Sequence, residues 1–263
     1  MRYSLLLLAL GVLGCSEPKS DTAADSAARN TQEAPTVSAP ADSVRVQTLP
    51  ANQLPAGVPS QPGKVLELKQ WTDANGLNLL RITRTPVQTL PARPADDPND
   101  TQSVRLYVRQ YVQRAGQWQE LWHLQDAVER CAFDTWLGPV PGSVTVTDLD
   151  ADGRTETTLL YKLVCRSDVS SAPLKLIMRE GPAKYALRGY TVVQSDSVPA
   201  RQRVPASSCC LDTIRPARLE AHYELYGGRY ETEKEFRQAP PAFLQFARRH
   251  WRRWVVEQEF EQL

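Results

Sequence analysis

Aromatic residues are missing from one long stretch of this chain. Between positions 16 and 62 there is no Phe, Tyr or Trp, and large aliphatic side chains are few. Ala, Pro, Ser, Thr, Asp and Gln dominate instead. Such a segment buries too little apolar surface to offset the entropy of ordering it. It is expected to be a disordered tether with extended, Pro-containing stretches. Every Trp lies after residue 70, so the folded part is placed at residues 63–263. About 200 residues suffice for one sizeable core, and no internal repeat or second linker divides them. Residues 88–102 carry Pro91, Pro94 and Pro98 beside Asp96, Asp97 and Asp100, which reads as a long surface loop.

Charge of one sign is not in excess: 31 basic residues face 30 acidic ones. That balance offers no electrostatic footprint for nucleic acid. No Gly-x-Ser-x-Gly and no P-loop occurs, so the commonest nucleophile and phosphate motifs are missing. Paired Cys-x-x-Cys is lacking, and His123, His222 and His250 show no ligand spacing, which disfavours zinc. His123 alternates within a strand pattern and reads as a surface or cross-strand residue. Glu220, Glu224, Glu231 and Glu233 could supply a carboxylate pair for glycoside chemistry, but their reading as ordinary surface charge is preferred. No residue is assigned a catalytic role.

Long hydrophobic runs are lacking too. The one apolar run, Leu5 to Leu13, follows Met1 and Arg2. It falls well short of the roughly twenty residues that a spanning helix needs, and has the form of a secretory signal. Its end, Val12-Leu13-Gly14-Cys15, resembles the bacterial lipobox. That resemblance implies cleavage before Cys15, so that residues 1–14 are a lipoprotein signal peptide. Cys15 then carries the acyl chains that bind the membrane, and residues 15–62 form the tether. Two or more chains anchor firmly where one does not. Ser16, in place of Asp, resembles the enterobacterial sorting pattern for the outer membrane, facing the periplasm or the cell surface.

The remainder reads as successive hairpins. Val65 to Trp71 and Leu77 to Thr85 flank Asp73-Ala74-Asn75-Gly76, where Asn-Gly suits a hairpin turn. Val104, Leu106 and Val108 alternate with Arg105, Tyr107 and Arg109, a period of two. Ala115-Gly116 turns that strand into Trp118 to Val128. Val144 and Val146 lead to an acidic stretch, after which Thr157, Leu159, Tyr161 and Leu163 alternate. Leu174 to Met178 and Tyr185 to Leu187 flank Gly181-Pro182. The tail changes period: Pro240 and Pro241 suit a first helical turn. Phe243, Phe246, Ala247, His250, Trp251, Trp254 and Gln258 then follow helical spacing. Arg248, Arg249, Arg252 and Arg253 lie largely off that stripe. They read as a solvated face, with a basic face for anionic lipid or polysaccharide as the sharper alternative. The expected fold is mainly β (α+β): an antiparallel sheet or open barrel of successive hairpins, with a C-terminal amphipathic helix.

The most informative stretch is Asp148-Leu149-Asp150-Ala151-Asp152-Gly153-Arg154-Thr155-Glu156. Calcium takes about six to eight oxygens. Alternate carboxylates on a tight loop can point inward together, Gly153 permits a sharp reversal, the Arg154 carbonyl can add a ligand, and Glu156 can close the shell. Carboxylates packed this closely repel one another unless a cation sits between them. An EF-hand would need Glu where Leu159 stands and helices where the flanks are β-branched, so that motif is rejected. The loop resembles the calcium loops between strands of FG-GAP and similar extracellular β-repeat proteins, over about fifteen residues and without repetition. The plainer alternative is an acidic β-turn chosen for turn chemistry.

Four cysteines follow Cys15, and an exported domain meets an oxidising compartment. Cys131 and Cys165 bracket the acidic loop and its strands, and their pairing is preferred. Cys209 and Cys210 then remain as a vicinal disulfide or two thiols; a bond from Cys131 or Cys165 to Cys209 or Cys210 competes. More broadly, Val146-Thr147-Asp148-Leu149-Asp150, Glu156, Tyr161, Cys165-Arg166-Ser167-Asp168-Val169, Leu174-Lys175-Leu176-Ile177-Met178 and Lys184-Tyr185-Ala186-Leu187-Arg188-Gly189 resemble a family of exported bacterial proteins. That family is labelled as surface polysaccharide biosynthesis proteins. It implies an envelope role and no particular catalytic residue. The expected function is a non-catalytic binding or structural module with one calcium-stabilised loop, its partner a glycan or an envelope protein. The rivals are an enzyme or accessory factor of surface polysaccharide metabolism and an envelope-assembly subunit.

Overall fold

The computed structural model describes residues 44–93, 99–193 and 199–257. Cys15, the segment before it, Pro94 to Pro98 and Gln258 lie outside the described residues. Among the described residues, eleven strands make two antiparallel sheets. The first holds β1 (Gln47–Thr48), β2 (Lys64–Asp73), β3 (Gly76–Arg84), β4 (Gln88–Leu90), β5 (Thr101–Arg114) and β6 (Gln117–Cys131). The second holds β7 (Asp134–Pro139), β8 (Thr145–Thr147), β9 (Glu156–Arg166), β10 (Pro173–Glu180) and β11 (Ala183–Tyr190). Neither sheet closes into a barrel.

Local turn chemistry sets the hairpins. Ala115 and Gly116 take φ of 49° and 78°, and Arg114 pairs with Gln117 across them. Two successive positive φ values match the twist of the flanking strands. The β2–β3 turn differs from expectation by one residue. Asp73 pairs with Gly76, so Ala74 and Asn75 form the connection, and only Gly76 takes a positive φ, 114°. The cause is Asp73, whose Oδ1 accepts the Asn75 N–H at 2.7 Å. The expected loop at 88–102 is in part a hairpin, because Gln88–Leu90 pairs with Thr101–Ser103 of β5.

The two sheets stack face to face. Leu80, Ile82, Leu106 and Val108 of the first meet Leu159, Tyr161, Ile177 and Ala186 of the second in one core. Both outer faces are covered as well. On the second sheet Leu160, Leu174, Leu176, Met178 and Leu187 pack against α3 (Pro241–Trp254) through Phe243, Ala247 and Trp251. Two short helices, α1 (Ala200–Arg203) and α2 (Pro216–Ala221), precede it. The four arginines of α3 are exposed. Arg248 pairs with Glu233, Arg252 donates to the Ala206 carbonyl at 2.7 Å, and Arg253 lies over the Trp254 ring.

The outer face of the first sheet corrects the domain boundary. Residues 44–62, assigned above to the tether, belong to the folded part: Val44 and Val46 pack on the inter-sheet core, Gln47–Thr48 pairs with the edge of β2, and the rest crosses the outer face. Leu49, Leu54 and Val58 pack over Leu68, Leu79 and Tyr111. The Leu49 N–H donates to the Leu68 carbonyl at 2.9 Å. Arg81, buried in mid-strand, donates to the Pro59 carbonyl at 2.6 Å and to Gln61 Oε1 at 3.2 Å. A few scattered aliphatics are enough when a sheet face is waiting for them, and composition averages hide that. Within the expected tether, residues 15–43 lie outside the described residues.

Cys131 at the end of β6 and Cys165 on β9 are bonded, with Cα atoms 5.6 Å apart, and so tie one sheet to the other. Cys209 and Cys210 pair with each other.

Candidate functional site

The acidic loop connects β8 to β9, which pair side by side, with Thr147 opposite Glu156. Eight residues must therefore reverse the chain. Ala151 and Gly153 supply the positive φ values, 59° and 84°. Carboxylates hold the loop from within: Asp148 Oδ2 accepts the Gly153 N–H at 3.1 Å, and Asp152 Oδ1 accepts the Arg154 N–H at 2.7 Å. Glu156 Oε2 accepts both the Thr147 hydroxyl at 2.9 Å and the Leu149 N–H at 3.0 Å. Leu159, which an EF-hand would require to be a ligand, is buried in the inter-sheet core.

The loop brings together most of the residues singled out above. Carboxylate oxygens of Asp148, Asp150 and Glu156 lie within 4.8 Å of one another, and those of Asp150, Asp152 and Glu180 do likewise. Opposed oxygens around a calcium ion stand about 4.6–5.2 Å apart, so this spacing admits one. The Arg154 side chain is exposed, and its charge acts on Glu180.

Glu180 is the acidic residue that reading the sequence missed. It ends β10 and pairs in register with Glu156. The available signal was its place just before the Gly181-Pro182 turn, one hairpin away from the loop.

Three oxygens in this cluster are buried without a partner among the described residues: Asp148 Oδ1, Glu156 Oε1 and Glu180 Oε1. Glu156 as a whole is fully buried. Burial pushes its carboxyl up to about 7, against the lowering effect of the Thr147 and Leu149 hydrogen bonds, and the Asp150 charge adds to the rise. Burial also raises Glu180, with Asp150 and Asp152 contributing. A buried carboxylate oxygen that meets no donor is costly. A cation seated among Asp148, Asp150 and Glu156 would offset that cost and reverse the repulsion between them.

The loop does not stand free. Its Gly153 carbonyl accepts the Ala74 N–H at 2.7 Å. Asp73 Oδ2 accepts the Thr155 N–H at 3.1 Å and its hydroxyl at 2.7 Å, while Trp71 Nε1 donates to Thr155 Oγ1 at 2.8 Å. From Asp73 the bonds continue inward through Asn78 and Gln110 to Trp122 and Thr157. One connected polar network thus clamps the loop to the β2–β3 turn of the facing sheet.

The other candidates do not converge. His123 is exposed on β6 beside Glu120, His222 is exposed beside Glu224, and His250 is buried with Nε2 2.7 Å from the Ser143 carbonyl. Glu233 is held by Arg248 and the Tyr230 hydroxyl, and Arg248 keeps its carboxyl below the usual range.

Fold and site together define an α+β protein of two stacked antiparallel sheets with an acidic interstrand loop. No family model, no curated protein and no solved structure matches the chain. Among the described residues, no helix is long and apolar enough to cross a membrane.

Proposed function

We propose that this protein is an envelope-anchored lipoprotein whose β-rich domain is a non-catalytic binding or structural module, with one calcium ion held in the loop 148–156. The observation that carries the cation reading is Glu156. It is fully buried, keeps one oxygen without a partner, and stands among Asp148 and Asp150 at ligand spacing. Calcium suits the site because the donors are all hard carboxylate oxygens. Glu180 stands at the same spacing from Asp150 and Asp152, a second triad that shares Asp150 with the first. An ion here would stiffen a loop that is already bonded to the facing sheet, which is structural work.

Anchoring rests on the run Leu5 to Leu13 and on Cys15. The outer membrane follows from Ser16, and the module's partner is a glycan or another envelope protein. The cation reading is tested by following thermal unfolding of the full chain during calcium titration and after EDTA. A rise in the midpoint that saturates with calcium is expected, and an unchanged midpoint rejects the ion. Labelling cells with radioactive palmitate tests the anchor: Cys15→Ser should abolish label that the parent chain takes up.

A further inference from the structure

At the far end of β10 and β11 from Glu180 lies a cavity of about 350 Å³, within the usual range for small-ligand sites, about 300–1,000 Å³. Its lining is mostly apolar and rich in tyrosine. Tyr190 and Tyr226 meet edge to face, 4.9 Å between ring centres. Tyr223 stands at the rim with 80% of its surface exposed. Ser170 and Ser171 form a facing wall. That wall is held in place: Arg166 donates to the Ser170 carbonyl and grips Glu257 at 2.8 Å and 3.2 Å.

Arg203 of α1 also lines the cavity. Its Nε and Nη2 are buried and, among the described residues, have no hydrogen-bond partner. Neighbouring arginines are satisfied: Arg229 donates to the Leu225 carbonyl, and Arg252 to Ala206. The two unpaired N–H groups of Arg203 form one edge of the guanidinium, the edge that grips a carboxylate through two parallel bonds. Arg203 as a residue is only partly buried, so a rotamer change can turn that edge into the cavity, as is common on binding.

We propose that this cavity binds a carboxylate carried on a single ring. Arg203 is the one cation among the lining residues, and Glu224 stands exposed at the rim; a doubly charged phosphate meets that opposing charge twice over, a carboxylate once. The tyrosine faces suit the apolar side of a ring, and their hydroxyls with those of the serines suit its polar edge. A sugar acid and an aromatic acid share this chemistry. The site is separate from the acidic loop, and the proposal stands whether or not that loop holds a cation.

Saturation-transfer NMR on the full chain tests it, with glucuronate and benzoate as probes and glucose and benzyl alcohol as uncharged counterparts. Transfer to at least one carboxylate is expected, with little to its neutral partner. Apparent affinity should fall about tenfold or more in Arg203→Gln. Tyr223→Ala, a change at an exposed position that leaves the fold intact, should cut transfer to the ring protons. A preference for glucuronate marks a sugar acid, and a preference for benzoate an aromatic acid. Transfer to neither carboxylate, equal transfer to the neutral probes, or unchanged affinity in both variants overturns the proposal.

Discussion

Replacing Glu156 by Gln separates two energies that the parent chain combines. In the cation-free protein, burial raises this carboxyl from its ordinary 4.5 to about 7. A raised folded-state value means that the folded chain binds more protons than the unfolded one between those limits. The Glu156 contribution to the stability of the cation-free parent therefore falls as pH rises from about 4.5 through about 7, by about 3 kcal/mol in all. Gln carries no charge to bury. Its oxygen can keep the bonds from Thr147 and Leu149, and its NH₂ replaces the unpartnered oxygen beside Asp148 and Asp150. At pH 8 in EDTA, Glu156→Gln should be more stable than the parent by up to about 3 kcal/mol. That is about 6–12 °C in the midpoint for a domain of this size. Calcium should invert the order. At a hundred times its dissociation constant an ion adds about 2.7 kcal/mol to the parent, and the variant should gain much less. Calorimetry across pH 5–8, with and without calcium, checks both halves. Equal calcium shifts in parent and variant, or a stability difference between parent and variant in EDTA that does not change over that range, refute the reasoning.

Other substitutions probe other parts of the same account. Glu180→Gln removes a donor that is only partly buried, so calcium affinity should drop about tenfold while the EDTA midpoint moves less than in Glu156→Gln; isothermal titration reads the first and calorimetry the second. Opening Cys131–Cys165 by a double change to Ser frees a loop with a sequence separation of 34 and should cost about 3–4 kcal/mol, read from urea unfolding. Trp251→Ala empties a fully buried site under β10 and β11 and should cost about 3–5 kcal/mol, seen in the same assay. Calcium response should survive the loss of the disulfide, since neither cysteine lies in the acidic loop.

What was legible in the chain was local. The alternation of β5 and β9, the Ala115-Gly116 turn and the stripe of α3 all depend on residues a few positions apart. The misses share the opposite character. Leu49, Leu54 and Val58 form no pattern of their own, because the surface they cover is built by Leu68, Leu79 and Tyr111. Strand β7 is short, and it is β9 that gives it pairing partners. The Asn75-Gly76 signal was correct in kind and misplaced by one residue, because the Asp73 carboxylate captures the Asn75 N–H. At the site, Asp148 to Glu156 could be read as a run, whereas Glu180 enters only through the register of β9 against β10.

The position of the loop explains why a cation there would matter to the whole domain. Two stacked sheets are held mainly by apolar contact, which is not directional. Direction comes from the polar links between them, and those near the loop form one chain from Trp71 and Asp73 through Thr155 on one side, and through Asn78 and Gln110 to Thr157 on the other. Bonds within such a network depend on one another. Glu156 sits between Thr155 and Thr157 at the start of β9, so its placement bears on both arms. With its charge unmet, repulsion from Asp150 pulls against the hydrogen bonds from Thr147 and Leu149. With a cation in place, the same carboxylate draws the loop inward onto bonds already aimed at the β2–β3 turn. The loop then sets how firmly one sheet is registered on the other, a role that follows from its neighbours and needs no turnover of a substrate.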